Sequence, residues 1–196
     1  MNIGYDVDGV VVEIMRPMVK FLASRGIVVP PYEKTHDHNL TRIWGCEPAE
    51  VSRRIGLFYA STEFANLEPV DGAVSAFASL FPPHDAHGIT ARPEGIKDTT
   101  FGFFQRYFQN HGDIHHLGHH GDGSLSGRTK GQVAKELGLD LFVEDAPMNA
   151  QDVASYGVPV LLVSRPWNAS FELPLGVTRV SGWEDVLKYV RNLKGK

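Results

Sequence analysis

Short apolar segments alternate with helix-like segments along most of the chain, and this alternation limits the fold more than any other feature. Residues 3–7, 141–143 and 158–163 are apolar runs bounded by turn residues, which is typical of buried strands. Apolar residues recur at helical spacing over residues 98–109 and 183–193. Strands that alternate with helices of this length predict an α/β fold with a parallel sheet.

The segment 15–70 has helical patterns without a clear strand, so we predict a helical cap over 15–70 on a core formed by 1–14 and 71–196. Asp71 is placed to cap a helix over 72–80, and Phe101, Phe104 and Phe108 form the apolar stripe of the helix at 98–109. The other predicted elements are helices at 15–22, from about 48 and at 129–137, and strands at 88–90 and 114–117.

Composition excludes several classes of protein. The 196 residues include 42% hydrophobic and 21% charged residues, which excludes disordered, collagen-like and disulfide-scaffold chains. The longest apolar runs are too short to span a membrane, and a net charge of -4 argues against a nucleic-acid-coating surface. Asp6 and Asp8 interrupt the early apolar residues that a signal peptide needs, and Cys46 has no internal disulfide partner, so we expect a cytoplasmic protein.

Paired carboxylates follow the first predicted strand. Asp6 and Asp8 stand at i and i+2, and Gly9 allows a turn directly after them. Two adjacent carboxylates repel each other unless a cation or a shared proton joins them, and oxygen ligands suit Mg²⁺. The plainer alternative is an Asp-Gly turn that ends a strand.

Three further sites follow strands or begin helices. Thr90, with the backbone N–H groups that follow it, can hold a phosphate oxygen, or it can simply precede the turn at Pro93. Lys130 begins a helix whose dipole it opposes, which suits an anion between them; a solvated lysine is the alternative. Glu144 and Asp145 end another apolar strand, and they would join Asp6 and Asp8 if the two strands are neighbours.

Taken in order, Asp-x-Asp-Gly-Val, Thr-Ala-Arg, Lys and Glu-Asp resemble the motifs of the haloacid dehalogenase superfamily of phosphatases. Residues 64–74 resemble the return from cap to core in the 5'(3')-deoxyribonucleotidases and their bacterial nucleotidase-like relatives. Residues 163–168 and 181–187 resemble later parts of the same group. The resemblance implies a Rossmann-like sheet with helices on both faces and a small helical cap inserted after the first strand.

The resemblance also implies a mechanism. Asp6 would be the nucleophile that forms an aspartyl-phosphate, and Asp8 the general acid and then the base. Asp6, the backbone carbonyl of Asp8 and Asp145 would hold Mg²⁺, with Glu144 bound directly or through water. Thr90, the N–H of Ala91 and Lys130 would neutralise the phosphoryl oxygens.

Substrate choice is expected to lie with the cap. Phe64, Trp44 and Ile14 are candidates to face a nucleobase. The alternative, favoured for Trp44, is that Phe64 and Trp44 form the core of the cap. The deoxyribonucleotidases carry an aromatic residue at the place of Ile14, and this difference weakens the expected base sandwich. Arg92 or Arg165 could bind a carboxylate or a second phosphate of the substrate.

Five of the nine histidines lie between residues 111 and 120: His111, His115, His116, His119 and His120. They could form a metal site, a solvated loop that leads to Lys130, or part of the phosphate entrance. If residues 114–117 form a strand, His115 and His116 point to opposite faces, which argues against a shared metal.

The sequence therefore favours a Mg²⁺-dependent phosphomonoesterase that acts on a nucleoside monophosphate. One alternative is the same chemistry on a sugar phosphate or another small phosphate; another is a non-catalytic metal- or ligand-binding protein. The expected partner is a small phosphate monoester, with neither a nucleic-acid polymer nor a membrane, and a homodimer is compatible with the sequence.

Overall fold

The computed structural model describes residues 1–118 and 127–193. Its strands are β1 (Asn2–Tyr5), β2 (Val12–Glu13), β3 (Glu68–Pro69), β4 (Asp85–Thr90), β5 (Asp113–His116), β6 (Leu141–Glu144), β7 (Val160–Val163) and β8 (Val177–Val180). Its α-helices are α1 (Met15–Ser24), α2 (Leu40–Trp44), α3 (Pro48–Tyr59), α4 (Thr62–Ala65), α5 (Ala73–Leu80), α6 (Lys97–Tyr107), α7 (Lys130–Glu136), α8 (Pro147–Ser155) and α9 (Trp183–Leu193).

Six strands form one parallel sheet in the order β5-β4-β1-β6-β7-β8. Side chains that alternate along a strand enter two separate apolar clusters. Leu141 and Val143 of β6 pack with α5, α6 and α9, whereas Phe142 packs with α7 and α8. Helices therefore cover both faces of the sheet, and the predicted α/β fold is confirmed.

The cap segment leaves the core and returns to it through a short antiparallel ribbon. Val12 of β2 pairs with Pro69 of β3, and α1 to α4 lie between these two strands. Phe21 of α1 packs on Phe58 of α3, and both rings belong to the same apolar cluster as β1. The division into a core of 1–14 and 71–196 and a cap of 15–70 stays a prediction, although the ribbon marks a natural base for such a cap.

Most predicted elements are present, with differences at their ends. The helix predicted at 183–193 is confirmed, and α3 begins at Pro48 as expected. The prediction that Asp71 caps α5 is wrong, because Gly72 is the N-cap and no side chain bonds to that helix end. The predicted stripe on α6 is partly wrong, because Phe101 is 48% exposed and Phe103 is buried instead. The sequence did not indicate α8 or β8.

The sheet order brings three strand ends side by side. β1 lies between β4 and β6, and all three run in the same direction. In open parallel sheets, ligands bind beyond the carboxyl ends of the strands, where the strand order reverses. The carboxyl ends of these three strands are therefore the expected position of a site. Within the described residues, no helix has the length and apolar character needed to cross a membrane.

Candidate active site

The loop after β1 holds Asp6 at the carboxyl edge of the sheet. The backbone N–H of Asp6 donates to the carbonyl of Val143 on β6, at 2.9 Å. The N–H of Val7 donates to Oδ1 of Asp6 at 2.7 Å, and the carbonyl of Val7 accepts bonds from the N–H groups of Val11 and Val12. The loop is thus a closed turn, and it fixes the Asp6 carboxylate 7% exposed at the end of β1.

Long-range hydrogen bonds hold the same turn through the backbone carbonyls of three successive residues. Arg165 donates through Nε and Nη2 to the carbonyl of Gly9, at 2.9 and 2.5 Å. Nε1 of Trp183 donates to the carbonyl of Val10, and the N–H of Val70 donates to that of Val11, both at 2.8 Å. Residues far apart in the sequence therefore hold the turn that follows Asp6.

Lys130 joins the ends of β1 and β6. Its Nζ lies 2.7 Å from Oδ1 of Asp6 and 2.8 Å from Oε2 of Glu144, and its side chain is only 4% exposed. A capping box between Thr129 and Gln132 begins α7 at this point and orients the lysine. The two carboxylates outweigh the effect of burial and raise the pKa of Lys130, so the ammonium is charged.

Glu144 already has hydrogen bonds to both of its carboxylate oxygens. Oε1 accepts from the N–H groups of Asp145 and Ala146, at 3.0 and 2.9 Å, and Oε2 accepts from Lys130. Burial disfavours the charge, but Lys130 and these amides outweigh it and lower the pKa of Glu144. This arrangement suits a residue that orients Lys130 and reaches a metal ion through water rather than directly.

Asp145 differs from Glu144, because none of the described residues donates a hydrogen bond to its carboxylate. Its backbone carbonyl accepts from Nε1 of Trp167 at 3.2 Å and from Nδ2 of Asn168 at 2.8 Å, which fixes the position of the residue. Burial, with the charges of Glu144 and Asp6, holds the pKa of Asp145 well above its usual range. Such a buried carboxylate requires a cation or a proton.

Asp6, Glu144 and Asp145 form the one group of three or more possible metal ligands within residues 1–118 and 127–193. Burial and the neighbouring Glu144 raise the pKa of Asp6 to about 8, although Lys130 opposes them. These carboxylates offer oxygen atoms within 4.8 Å of one another, and oxygen donors are the ligands that Mg²⁺ prefers. The residues present therefore fit a divalent cation held by Asp6 and Asp145.

Asp8 lies beside this group but is bonded elsewhere. Its two oxygens accept from Nη2 and Nε of Arg92, at 2.6 and 3.0 Å. The sequence predicts the Asp8 carboxylate beside the other acidic residues and Arg92 at the substrate. The structure brings the two side chains together instead.

A cavity of about 170 Å³ lies between these strand ends and the helices α1, α2 and α3. From the predicted site it is lined by Asp6, Asp8, Thr90, Ala91, Lys130, Asp145 and Ile14. Residues between β2 and β3 that the sequence did not indicate as site residues form much of the remaining wall: Met15, Met18, Asp37, His38, Leu40, Ile55 and Tyr59. The cavity therefore has charged residues at the strand ends and mostly apolar residues on the opposite wall.

Four predicted substrate-binding residues do not line this cavity. Phe64 packs on Phe58 and Tyr59. Trp44 of α2 is buried, with Cζ of Arg54 5.7 Å from the centroid of its ring. Arg165 holds the turn after Asp6, and Arg92 holds Asp8. Both arginine side chains have hydrogen-bond acceptors within the protein, which accounts for their position away from the cavity.

The histidine patch is spread over several surroundings. The ring of His111 packs on Phe104, and its Nδ1 lies 2.7 Å from the carbonyl of Gly112. His115 and His116 are successive residues of the edge strand β5, so they point to opposite faces of the sheet. His119 and His120 lie outside the described residues.

Comparison with solved structures identifies the fold. A haloacid dehalogenase-like hydrolase from Streptococcus pneumoniae superimposes with a TM-score of 0.65 at 12% identity, covering 96% of this chain and 97% of that one. A similar hydrolase from Deinococcus radiodurans, solved with bound phosphate and sodium, gives 0.62 at 16% identity and covers 97% and 95%. The chain has the haloacid dehalogenase fold.

Two further similar proteins carry names of phosphate-ester hydrolases. A structure described as a predicted phosphoglycolate phosphatase, from Haemophilus somnus 129PT, gives a TM-score of 0.62 at 18% identity over 96% of both chains. A curated relative named "Putative nucleotidase YqfW", from Bacillus subtilis (strain 168), is 31% identical over 109 residues. That match covers 54% of this chain and about half, 51%, of the relative. No protein-family model matches the chain.

Proposed function

We propose that the chain is a phosphomonoester hydrolase that uses Mg²⁺ and an aspartyl-phosphate on Asp6. The observation that carries the proposal is the meeting of Asp6, Thr90, Lys130 and Asp145 in one cavity, each from a strand end or a helix start. Asp6 is the nucleophile in this proposal. Its Oδ1 bonds to Lys130 and the N–H of Val7, which leaves Oδ2 to attack phosphorus.

The other residues act on charge and on protons. Lys130 and Thr90 line the cavity beside Asp6, where they would bind the phosphoryl oxygens. Asp8 would donate a proton to the leaving oxygen and then accept one from the attacking water. A cation held by Asp6 and Asp145 would supply positive charge that stabilises the transferring phosphoryl group.

For the substrate we propose a nucleoside monophosphate. The curated nucleotidase-type relative supports this choice, as do the rings of Tyr59 and Trp167, which line the cavity where Phe64 and Trp44 do not. Aromatic rings stack on nucleobases. The proposal includes a cytoplasmic location, because the chain has a single cysteine.

A smaller phosphate ester is the second candidate. The cavity of about 170 Å³ is below the roughly 300–1,000 Å³ typical of sites that enclose drug-sized ligands. Two structural neighbours are described as predicted or putative phosphoglycolate phosphatases, whose substrate would be smaller than a nucleotide. This size supports an ester smaller than a nucleotide as the second candidate.

The test is phosphate release from nucleoside monophosphates, sugar phosphates and phosphoglycolate, with Mg²⁺ or with a chelator. We expect release that requires Mg²⁺ and is fastest with a nucleotide. Release that persists in chelator would contradict the metal assignment. A higher kcat/KM for phosphoglycolate or a sugar phosphate would replace the nucleotidase assignment with the second candidate. No release from any ester would favour a binding protein.

A further inference from the structure

Arg92 makes a bidentate ion pair with Asp8. Its Nη2 lies 2.6 Å from Oδ1 and its Nε 3.0 Å from Oδ2, so each carboxylate oxygen receives its own N–H donor. The arginine side chain is 2% exposed and the aspartate side chain 25%. Paired bonds of this kind fix the orientation of a carboxylate as well as its position.

Arg92 is itself held from three sides. Its Nη1 donates to Oγ1 of Thr100 at 3.0 Å, and its backbone N–H donates to Oγ1 of Thr90 at 3.2 Å. The centroid of the Phe64 ring, on α4, lies 5.0 Å from Cζ of Arg92. The guanidinium is therefore braced by α6 on one side and by the cap on the other, and it has little freedom to turn toward the cavity.

This environment explains why the pair forms. A buried guanidinium needs a charged partner, because an unpaired charge in the interior is costly. Asp8 is the one carboxylate that bonds to Arg92 within the described residues. In return, the aspartate loses the rotamer freedom that an exposed side chain at the cavity wall would have.

We propose that Arg92 is a positioning residue that fixes the carboxylate of Asp8 at the cavity wall for proton transfer. The inference rests on the proposed function, since Asp8 has a proton to move only if a phosphate ester is cleaved. It assigns Arg92 no contact with substrate, in contrast to the expectation from sequence. Phe64 and Thr100 support the position of Arg92.

The test combines kinetics with unfolding. Arg92→Met removes the bidentate ion pair. We expect kcat to fall about 100-fold with little change in KM, because a small displacement of a catalytic group can have an effect of this size. Arg92→Lys restores one bond and should recover part of this loss. Thr100→Val leaves the bidentate ion pair intact and should lower kcat less than Arg92→Met does. Arg106→Met, on the same helix as Thr100, is the control and should leave both constants unchanged.

A double-mutant cycle tests the pair without turnover. Asp8→Asn leaves Arg92 buried without a charged partner, and we expect Tm to fall by at least about 5 °C. Arg92→Met added to Asp8→Asn should restore part of that loss. Additive effects of the two changes would overturn the pairing, and this measurement remains available even if one variant is inactive.

Two kinetic outcomes distinguish a failure of this inference from a failure of the proposed function. A rise in KM with unchanged kcat in Arg92→Met would make Arg92 a substrate-binding residue and overturn the inference, while the proposed function would stand. If the wild-type protein releases no phosphate from any ester, the proposed function fails and so does the role of Arg92 in turnover. If Arg92→Met does not fold, a kcat of Arg92→Lys equal to that of the wild type would overturn the inference.

Discussion

Gly9 approaches the carboxylate of Asp145 more closely than any other amino acid could. A Cβ at this position would lie 1.9 Å from Oδ2 of Asp145, and the backbone of Gly9 has a φ of +77°. The contact joins the turn after β1 to the end of β6. It places Gly9 directly against Asp145, a candidate metal ligand. The geometry of the site therefore requires a residue without a side chain at position 9.

Gly9→Ala should therefore damage the site beyond its cost in backbone strain. We expect Mg²⁺-dependent phosphate release to fall at least 100-fold, because Asp145 must move by more than an ångström. Gly157→Ala is the matched control: its φ is +83° and its Cβ would meet nothing within 4 Å. Both variants should lose about 1 kcal/mol to strain, and only Gly9→Ala should lose turnover. Equal rates in the two variants would contradict this account of the contact.

Lys130 balances two buried carboxylates, so its removal should affect stability as well as activity. Lys130→Met leaves Asp6 and Glu144 without their shared cation, and we expect a loss of about 3–5 kcal/mol in the free energy of unfolding. Chemical denaturation measures this loss, with the exposed Lys135→Met as control. Unchanged stability in Lys130→Met would contradict the bridging role.

The acidic group predicts how stability depends on pH when no metal is present. Burial, with the charge of Glu144, raises the pKa of Asp6 from 3.8 to about 8. A carboxyl whose pKa is raised by folding binds its proton more tightly in the folded state. Its contribution is therefore complete below about pH 3.8 and disappears as the pH rises through about 8. Asp145 shifts in the same direction.

In chelator, we expect Tm to fall between pH 5 and 8, at about 2–4 °C for each kcal/mol. Mg²⁺ should flatten this slope, because a cation stabilises the ionised carboxylates. Asp98→Asn, an exposed change outside the cavity, should keep the wild-type slope, and Asp6→Asn should reduce it. A slope that is the same with Mg²⁺ and with chelator would argue against a cation at this site.

The parts of the site that the sequence predicted are those attached to strand ends. Asp6, Thr90 and Asp145 line one cavity because β4, β1 and β6 are parallel neighbours, and the carboxyl ends of such strands share an edge. Lys130 joins them through the capping box that begins α7. Local patterns sufficed for these residues, since each pattern marks where an element begins or ends.

Contacts between distant segments could not be predicted in the same way. Arg92 and Asp8 are 84 residues apart, and nothing near either residue indicates the other. Asp37 and His38 lie in a loop without periodicity, although both line the cavity. β8 was not predicted because its sequence, Val-Thr-Arg-Val, is half polar. Such features depend on packing, which a single sequence does not record.

Tyr59 is the aromatic residue of α3 that lines the cavity, and we expect it to contact the nucleobase. Tyr59→Ala should raise KM for a nucleoside monophosphate at least about 10-fold, by the loss of stacking of about 1–3 kcal/mol. KM for p-nitrophenyl phosphate should change less. Leu57→Ala, on the same helix and 42% exposed, is the control. Equal rises for both substrates in Tyr59→Ala would remove its role in base recognition.

The most direct test of the central claim is the rate of phosphate release by Asp6→Asn, measured beside the wild type with saturating Mg²⁺. The substitution keeps the shape of the side chain and removes the nucleophile, so we predict a fall of at least about 10³-fold in kcat. Thermal unfolding in chelator should show that Tm is not lowered, because one of three crowded carboxylates is gone. A variant that retains its Tm and releases phosphate within about tenfold of the wild-type rate would contradict an aspartyl-phosphate on Asp6.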